Sequence, residues 1–372
     1  MNKDKLLIVG AFPSNNKKIY GGILKSCKLI LDSSIADTFN LLKIDSSQKS
    51  NPPPNIFIRL LFALKRIFLL FFNLIFERPK VALIFISDGF GAVEKGFMCL
   101  ICSFFRCKTM IFPRAGNLMT QTQNSFFMKF LIRFLFKKAS IFLCQGEKWQ
   151  NYAIDFIGFD ESNIRIINNW TATKELILIG SNRNYEINRT VKQLLFIGWL
   201  EEFKGVFELL EASKELIDEG YEFNLNFAGD GNAMPKAKQY IQNNNLDNFI
   251  ELSGWIDNKE LFQLLADSDI FILPSWAEGF PNSMIEAMSA GLSIIVSDVG
   301  VIADFIENNQ NGIIIKPKSK LDVKNAIKSL LDDHNLLKKT AINGHEFAKN
   351  NFSSELGIQK LSSVIEEIID KK

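Results

Sequence analysis

The sequence predicts an α/β chain built on two doubly wound parallel sheets. Three observations carry this. Short apolar runs, Leu6 to Ala11, Val81 to Ile86 and Ile270 to Leu273 among them, alternate with stretches of helical periodicity. That alternation marks a parallel sheet covered by helices on both faces. The pattern then restarts: after a polar, Asn-rich stretch at Thr171 to Arg189, a fresh strand begins at Gln193. Finally, 372 residues hold two domains of ordinary size, and 47% hydrophobic residues can fill two cores.

The first half reads in order as follows. Leu6 to Ala11 is a buried first strand. A loop rich in Ser, Asn and Lys ends in Tyr20-Gly21-Gly22 before an apolar-periodic helix. A glycine pair at a helix start lets a ligand approach the backbone, although a simple turn uses the same residues. Strands follow at Phe39 to Ile44, Val81 to Ile86, Thr109 to Phe112, Ile141 to Cys144 and Ile164 to Ile167. Asn51-Pro-Pro-Pro54 is a stiff loop before a Phe-rich helix. Arg114-Ala-Gly116 follows a strand end, where open α/β sheets place ligand groups. Arg114 suits a phosphate contact or a loop anchor equally.

In the second half the strands are Gln193 to Gly198, Asn224 to Ala228, Ile250 to Leu252, Ile270 to Leu273, Ile294 to Ser297 and Gly312 to Ile315. Lys204 stands just before a helix start, well placed for diphosphate. Asp267-Ser-Asp269 sits at a helix end before a buried strand and reads as a turn rather than a metal site. Helices at Leu321 to Asp333, Leu336 to Asn350 and Glu355 to Lys372 close the chain.

Charge is unevenly distributed. The formal net charge of +2 argues against bulk polyanion binding, and no nucleic-acid partner is expected. Residues 51–150, however, hold 14 Lys and Arg against 4 Asp and Glu, while the rest hold 29 against 37. In Ile56 to Glu77, Arg59, Arg66, Asn73 and Glu77 form one narrow polar stripe on an otherwise apolar helix. Lys129, Arg133 and Lys137 do the same in Phe126 to Lys138. Broad apolar faces edged with basic residues suit an anionic membrane surface; the competing reading is deep burial with snorkelling stems. No span long enough to cross a bilayer is expected, since Arg59, Lys65 and Arg66 interrupt Ile56 to Phe76. Met1-Asn-Lys-Asp-Lys leads straight into a strand, so no signal peptide is expected. The five cysteines, Cys27, Cys99, Cys102, Cys107 and Cys144, show no framework spacing and read as reduced packing thiols. The expected location is cytoplasmic, peripheral on the inner face of the cytoplasmic membrane.

The chemistry centres on Trp276 to Gly291. An apolar strand ends at Pro274-Ser275. Gly279 and Pro281 shape a tight loop, Asn282 or Ser283 caps a helix, and Gly291 closes it. Glu278 thus lies in the loop and Glu286 just past the first helical turn. Free amides and the positive dipole end favour phosphate there. Two flanking carboxylates suit the hydroxyls of a sugar nucleotide, although each also has a plain reading as dipole complement or solvated loop residue.

The spacing Glu278-x7-Glu286, with Gly279-Phe280-Pro281-Asn282 after the first and Ala287-Met288-x-Ala290-Gly291 after the second, resembles the family 4 retaining glycosyltransferases. The resemblance runs from about Lys192 to Pro317 and more weakly elsewhere. It implies the GT-B fold, two Rossmann-like domains facing each other across a cleft: residues 1–188 for the acceptor, 189–351 for the nucleotide sugar, and a helix at 352–372 crossing back to the first. It implies catalytic roles for Glu278, on the donor sugar, and Lys204, on the leaving phosphate. Glu286, Gly279, Phe280, Pro281, Asn282, Ser283, Gly229, Gly231 and Trp255 would bind the donor, with Glu286 on the ribose. Gly21, Gly22 and Arg114 would line the diphosphate and acceptor loop. The family usually shows Gly-Arg-Leu where this chain has Gly198-Trp199-Leu200, so half of the expected cationic clamp is absent.

The expected reaction is retaining transfer from a UDP- or GDP-sugar to a glycan or polyprenyl-linked acceptor, with no metal and no cofactor beyond the donor. A bias toward Asn, Lys, Ile and Phe points to an AT-rich bacterial genome; combined with the membrane-leaning helices it points to assembly of a surface polysaccharide, of lipopolysaccharide or capsule type, on a lipid carrier. A sugar-nucleotide epimerase on the same fold, and a non-catalytic binding subunit, stay open at this stage.

Overall fold

The computed structural model describes residues 3–13, 21–47 and 54–370. Tyr20 and the loop before it, and the start of the proline run at Asn51 to Pro53, lie outside the described residues. In chain order the strands are β1 (Lys5–Gly10), β2 (Asn40–Asp45), β3 (Val81–Ile86), β4 (Lys108–Pro113), β5 (Ile141–Cys144), β6 (Ile164–Ile166), β7 (Lys192–Ile197), β8 (Phe223–Ala228), β9 (Ile250–Gly254), β10 (Ile270–Leu273), β11 (Ser293–Ser297) and β12 (Ile313–Ile315). The helices are α1 (Gly22–Leu31), α2 (Ser34–Thr38), α3 (Ile56–Phe72), α4 (Gly89–Phe104), α5 (Asn117–Asn124), α6 (Phe126–Phe136), α7 (Glu147–Asn151), α8 (Lys174–Ser181), α9 (Val206–Asp218), α10 (Met234–Asn243), α11 (Asn258–Asp267), α12 (Asn282–Ser289), α13 (Lys320–Asp332), α14 (His334–Phe352) and α15 (Ser354–Asp370).

Two compact units result. The first joins residues 1–170 to 354–372; the second is continuous from Thr171 to Ser353. Each holds one six-stranded, all-parallel sheet. The orders are β2-β1-β3-β4-β5-β6 and β12-β11-β10-β7-β8-β9. β3 and β10 are buried at every position, which is why they read as unbroken apolar runs rather than alternating ones. In an open α/β sheet the ligand crevice opens where the strand order reverses, beyond the carboxyl ends. The reversal falls between β1 and β3 in the first unit and between β7 and β10 in the second.

The core of the first unit gathers Leu6, Ile8, Leu83, Phe85 and Phe112 from the sheet with Trp170 and, from α15, Leu361, Ile365 and Ile368. α15 therefore belongs to the first unit and its core. It is fixed by Gly357, whose missing side chain lets α15 press on Trp170; a Cβ there would lie 2.2 Å from that side chain's Cβ. Arg165 and Glu367 add a two-pronged ion pair, Nε to Oε2 at 3.1 Å and Nη2 to Oε1 at 2.5 Å.

The polar stretch Thr171 to Arg189 holds a helix: Thr173 caps α8 by accepting from the Leu176 amide, Leu176 is buried, and the segment folds with the second unit. Polar composition hid a short helix whose buried side is narrow. The competing reading of deep burial does not hold for α3. Among the α3 residues only Leu70 is fully buried, while Phe57, Leu61 and Phe68 are exposed at 65% or more.

The Gly357 contact sets a test. Gly357→Ala should cost about 1–3 kcal/mol by overpacking against Trp170. Thermal unfolding should register this as a lower Tm; an unchanged Tm would mean that α15 does not depend on that close approach.

Candidate active site

The second unit builds its site at the β7/β10 reversal. After β7 the chain makes a short helical turn at Glu202–Lys204 and reaches Gly205 at φ +74°. A Cβ at Gly205 would lie 2.2 Å from the Pro274 carbonyl oxygen, so only glycine allows the loops after β7 and β10 to touch. The Trp276 amide donates to the Phe203 carbonyl at 2.7 Å and closes the same seam. Contact between the loops brings Lys204 to Glu278: Nζ donates to Oε1 at 2.5 Å, and Ser275 Oγ donates to the same oxygen at 2.7 Å. Both partners are largely enclosed, with side chains 17% and 10% exposed. Each is the other's counterion, and losing one would leave a poorly solvated charge.

A second glycine seals the far side of the Glu278 loop. Gly300 has φ +60°, and a Cβ there would meet the Glu278 and Gly279 carbonyl oxygens at 2.3 and 2.4 Å. The Val301 amide donates to Gly279 at 3.2 Å. Phe280 turns into the body of the unit, stacked on Phe305 at 4.7 Å and edge-on to Phe352 at 5.2 Å. Its side chain is thus an anchor, which leaves backbone as the means by which Gly279 and Phe280 could meet a ligand.

α12 follows at once. Its N-cap is Pro281, with no side-chain cap; the expected capping by Asn282 or Ser283 does not occur, because both are already helical. The start of α12 thus presents its first-turn amides and the positive end of its dipole, the arrangement that accepts phosphate oxygens. The helix ends as the sequence indicates. Gly291 at φ +77° is followed by a Leu292 amide donating to Ala287 at 3.0 Å. Glu286 is buried, 4% exposed, on the second turn. Behind it His345 fastens α14 to α12 through Nδ1 and the Ser289 carbonyl at 2.8 Å.

The loops after β7, β8 and β9 are sewn together at the same sheet edge. The Gly229 amide donates to the Gly254 carbonyl at 2.8 Å, and the Leu200 amide to the Asp230 carbonyl at 3.0 Å. Side chains at Gly229 or Gly231 would strike the backbone of Gly198 or Leu200. Trp255 meets Trp199 edge to face, ring centres 5.0 Å apart. The residue standing where a second cation was expected is therefore half of an aromatic pair. Asp267 and Asp269 form the expected turn, with Asp269 Oδ2 accepting from the Gln193 amide at 2.9 Å.

In the first unit, Gly21 precedes α1, which also lacks a side-chain cap, and a Cβ at Gly21 would meet nothing within 4 Å. Gly22 is the first residue of α1. Arg114 takes the anchoring role of the two open to it. Nη2 donates to Ser26 Oγ on α1 at 2.8 Å, and the guanidinium lies over Phe112 at 4.9 Å and Trp170 at 5.5 Å. Burial pulls its pKa down to about 9, which leaves it cationic at neutral pH. Nη1 is buried without a partner among the described residues.

Sequence reasoning missed Ser275 and Gly300. Ser275 was visible only as a strand-ending residue. Gly300 had one signal, its place just past the end of β11 in Asp298-Val-Gly300.

Residues 181–347 match the family described as Glycosyl transferases group 1. That match lies within the second unit. A putative teichuronic acid biosynthesis glycosyltransferase from Bacillus subtilis is 30% identical over 195 residues, 51% of this chain and 46% of that protein. The chain spans about half the length of most of the curated relatives it matches best. A sucrose-phosphate synthase from Thermosynechococcus elongatus matches the fold with TM-score 0.79 at 14% identity, covering 100% of both chains. Anabaena HepE, solved in complex with UDP-glucose, matches with TM-score 0.72 at 14% identity over 98% of this chain and 99% of that one. Two doubly wound six-stranded units and these likenesses define the GT-B fold.

Gly205→Ala should part the two loops. Positive φ and backbone overlap together cost about 1–3 kcal/mol. The readout is thermal unfolding with and without nucleoside diphosphate: both the Tm and its rise on ligand addition should fall, and a variant that keeps both would show the seam to be dispensable.

Proposed function

We propose that this chain is a retaining glycosyltransferase of the family 4 type, moving a sugar from a nucleoside diphosphate sugar to a glycan or polyprenyl-linked acceptor. The observation that carries the reading is the Lys204–Glu278 pair beside the uncapped start of α12, with buried Glu286 one turn in. The α12 amides hold the diphosphate. As the anomeric bond lengthens, negative charge grows on the leaving phosphate, and Lys204 turns from Glu278 toward it. Glu278, still held by Ser275, then accepts from the donor sugar's hydroxyls, and Glu286 from the ribose. A fixed cation and helix dipole aimed at developing charge supply the electrostatic stabilisation on which such transfers depend. The leaving phosphate takes the acceptor's proton as attack proceeds on the same face, so the site calls for no metal and no cofactor beyond the donor.

The donor is read as a UDP- or GDP-sugar; HepE's complex with UDP-glucose supports the first. The Bacillus relative in teichuronic acid biosynthesis supports a bacterial surface-polysaccharide role. No helix among the described residues is long and apolar enough to cross a membrane. The basic charge of residues 51–150 supports a peripheral position on an anionic inner membrane face, beside a lipid-linked acceptor.

Two sets of variants test this. Glu286→Ala should weaken nucleotide binding by about 1–3 kcal/mol in calorimetry, through loss of a buried acceptor. Lys204→Ala should lower kcat on the order of 100-fold at saturating donor; normal turnover, or a product of inverted anomeric configuration by NMR, would refute the mechanism.

Changing Lys129, Arg133 and Lys137 together to Gln should reduce sedimentation with phosphatidylglycerol vesicles at low salt, each charge contributing about 1 kcal/mol. Wild type that stays in the supernatant would remove the membrane from the reading.

A further inference from the structure

α3 is amphipathic the wrong way round for a helix in water. The centre of its polar stripe, Arg66, turns inward, while Arg59 stays exposed. Arg66 forms a two-pronged pair with Glu94 of α4, Nε to Oε1 at 2.6 Å and Nη2 to Oε2 at 2.8 Å, both side chains under 15% exposed. Lys95 joins the same carboxylate at 3.2 Å. Burial alone would raise the Glu94 carboxyl, but Arg66 and Lys95 hold it below its usual value. At the end of the helix Glu77 turns to Lys5 of β1, with Oε2 at 2.7 Å from Nζ. The outward side carries Phe57, Leu60, Leu61, Leu64, Phe68 and Phe72, all exposed.

Two further helices continue that face. α4 packs on both α3 and α6 and so lies between them. It exposes Phe90, Phe97 and Phe104, seven residues apart and hence one stripe. α6 exposes Phe126, Phe127, Phe130 and Phe134. Sequence pattern offers no cue for α4, because three phenylalanines spaced by seven match ordinary core spacing.

Large apolar side chains exposed in number on neighbouring helices mark a surface that meets something other than water. Basic residues accompany them: Arg59 and Lys65 of α3, Arg133 of α6 and Lys137 at its end are exposed.

Building on the peripheral position proposed above, we infer that α3, α4 and α6 form one insertion face whose phenylalanines enter the acyl region of an anionic bilayer, while these lysines and arginines meet the headgroups. The membrane is thus a solvent for this face and not merely a charged surface beneath it. Such a face lies about 5–10 Å below the headgroup boundary.

The test uses full-length protein carrying Phe68→Cys, Phe130→Cys or, as a control in the other unit, Leu321→Cys, each labelled with an environment-sensitive fluorophore. The five native cysteines are all buried and leave the new one preferred. Vesicles of phosphatidylglycerol and phosphatidylcholine carry a nitroxide midway along the acyl chain. Labels at positions 68 and 130 should lose about half their emission and shift to the blue, and the control should do neither. Binding should persist in high salt. Protein that floats with vesicles but leaves both labels unquenched would overturn insertion while sparing the peripheral reading; protein that does not float at low salt would overturn both. A stable lipid-free dimer in sedimentation, with labels 68 and 130 already shielded, would assign the face to a second copy instead and refute the inference.

Discussion

The site depends on one near-contact between backbones. Gly205 and the Pro274 carbonyl oxygen belong to loops some seventy residues apart, and they meet because β7 and β10 are sheet neighbours at the reversal of strand order. The approach has two electrostatic consequences. It forces a lysine and a glutamate, each costly to bury alone, into a shared, partly enclosed position, and it points the start of α12 at the same place. Gly300 holds the loop from the other side. Neither glycine carries a side chain, yet both decide where Lys204 and Glu278 stand.

Much of this was legible before any coordinates. Runs such as Val81 to Ile86 and Ile270 to Leu273 are strands at those bounds, because burial on both faces leaves no polar residue to blur the ends. Glu278, Glu286 and Gly291 fall where spacing places them, since a loop and eight helical residues leave little freedom. What escaped was long-range. The Lys204–Glu278 pair joins segments no local pattern connects. Arg114 left two roles open because only packing against Phe112, Trp170 and Ser26 separates them. The N-cap was misplaced by one or two residues, as helix boundaries often are.

The Phe-rich helices show a different limit. Periodicity finds the stripe on a helix but does not say which side faces the protein. In α3 the middle of the stripe, Arg66, is an inner residue, because Glu94 awaits it there. A rule that apolar means inside assumes water outside. Where the assumption fails, the pattern is unchanged and its meaning reverses. The same inversion explains the strongly basic segment: with the apolar side turned out, exposed cations accompany it.

The route of the chain through the first unit has a consequence for how the protein is made. That unit takes its core from both ends of the sequence, with α15 supplying Leu361, Ile365 and Ile368 beside Leu6 and Phe85. The second unit is continuous and can close as soon as Ser353 has emerged. Domains usually complete in order from the amino terminus during synthesis. Here the order is reversed: the amino-terminal unit must wait, with its sheet partly uncovered and its apolar helices already exposed, until the whole of the other unit has been translated. Chaperone demand should therefore peak late in translation, and it should be governed by a helix more than three hundred residues behind the first strand.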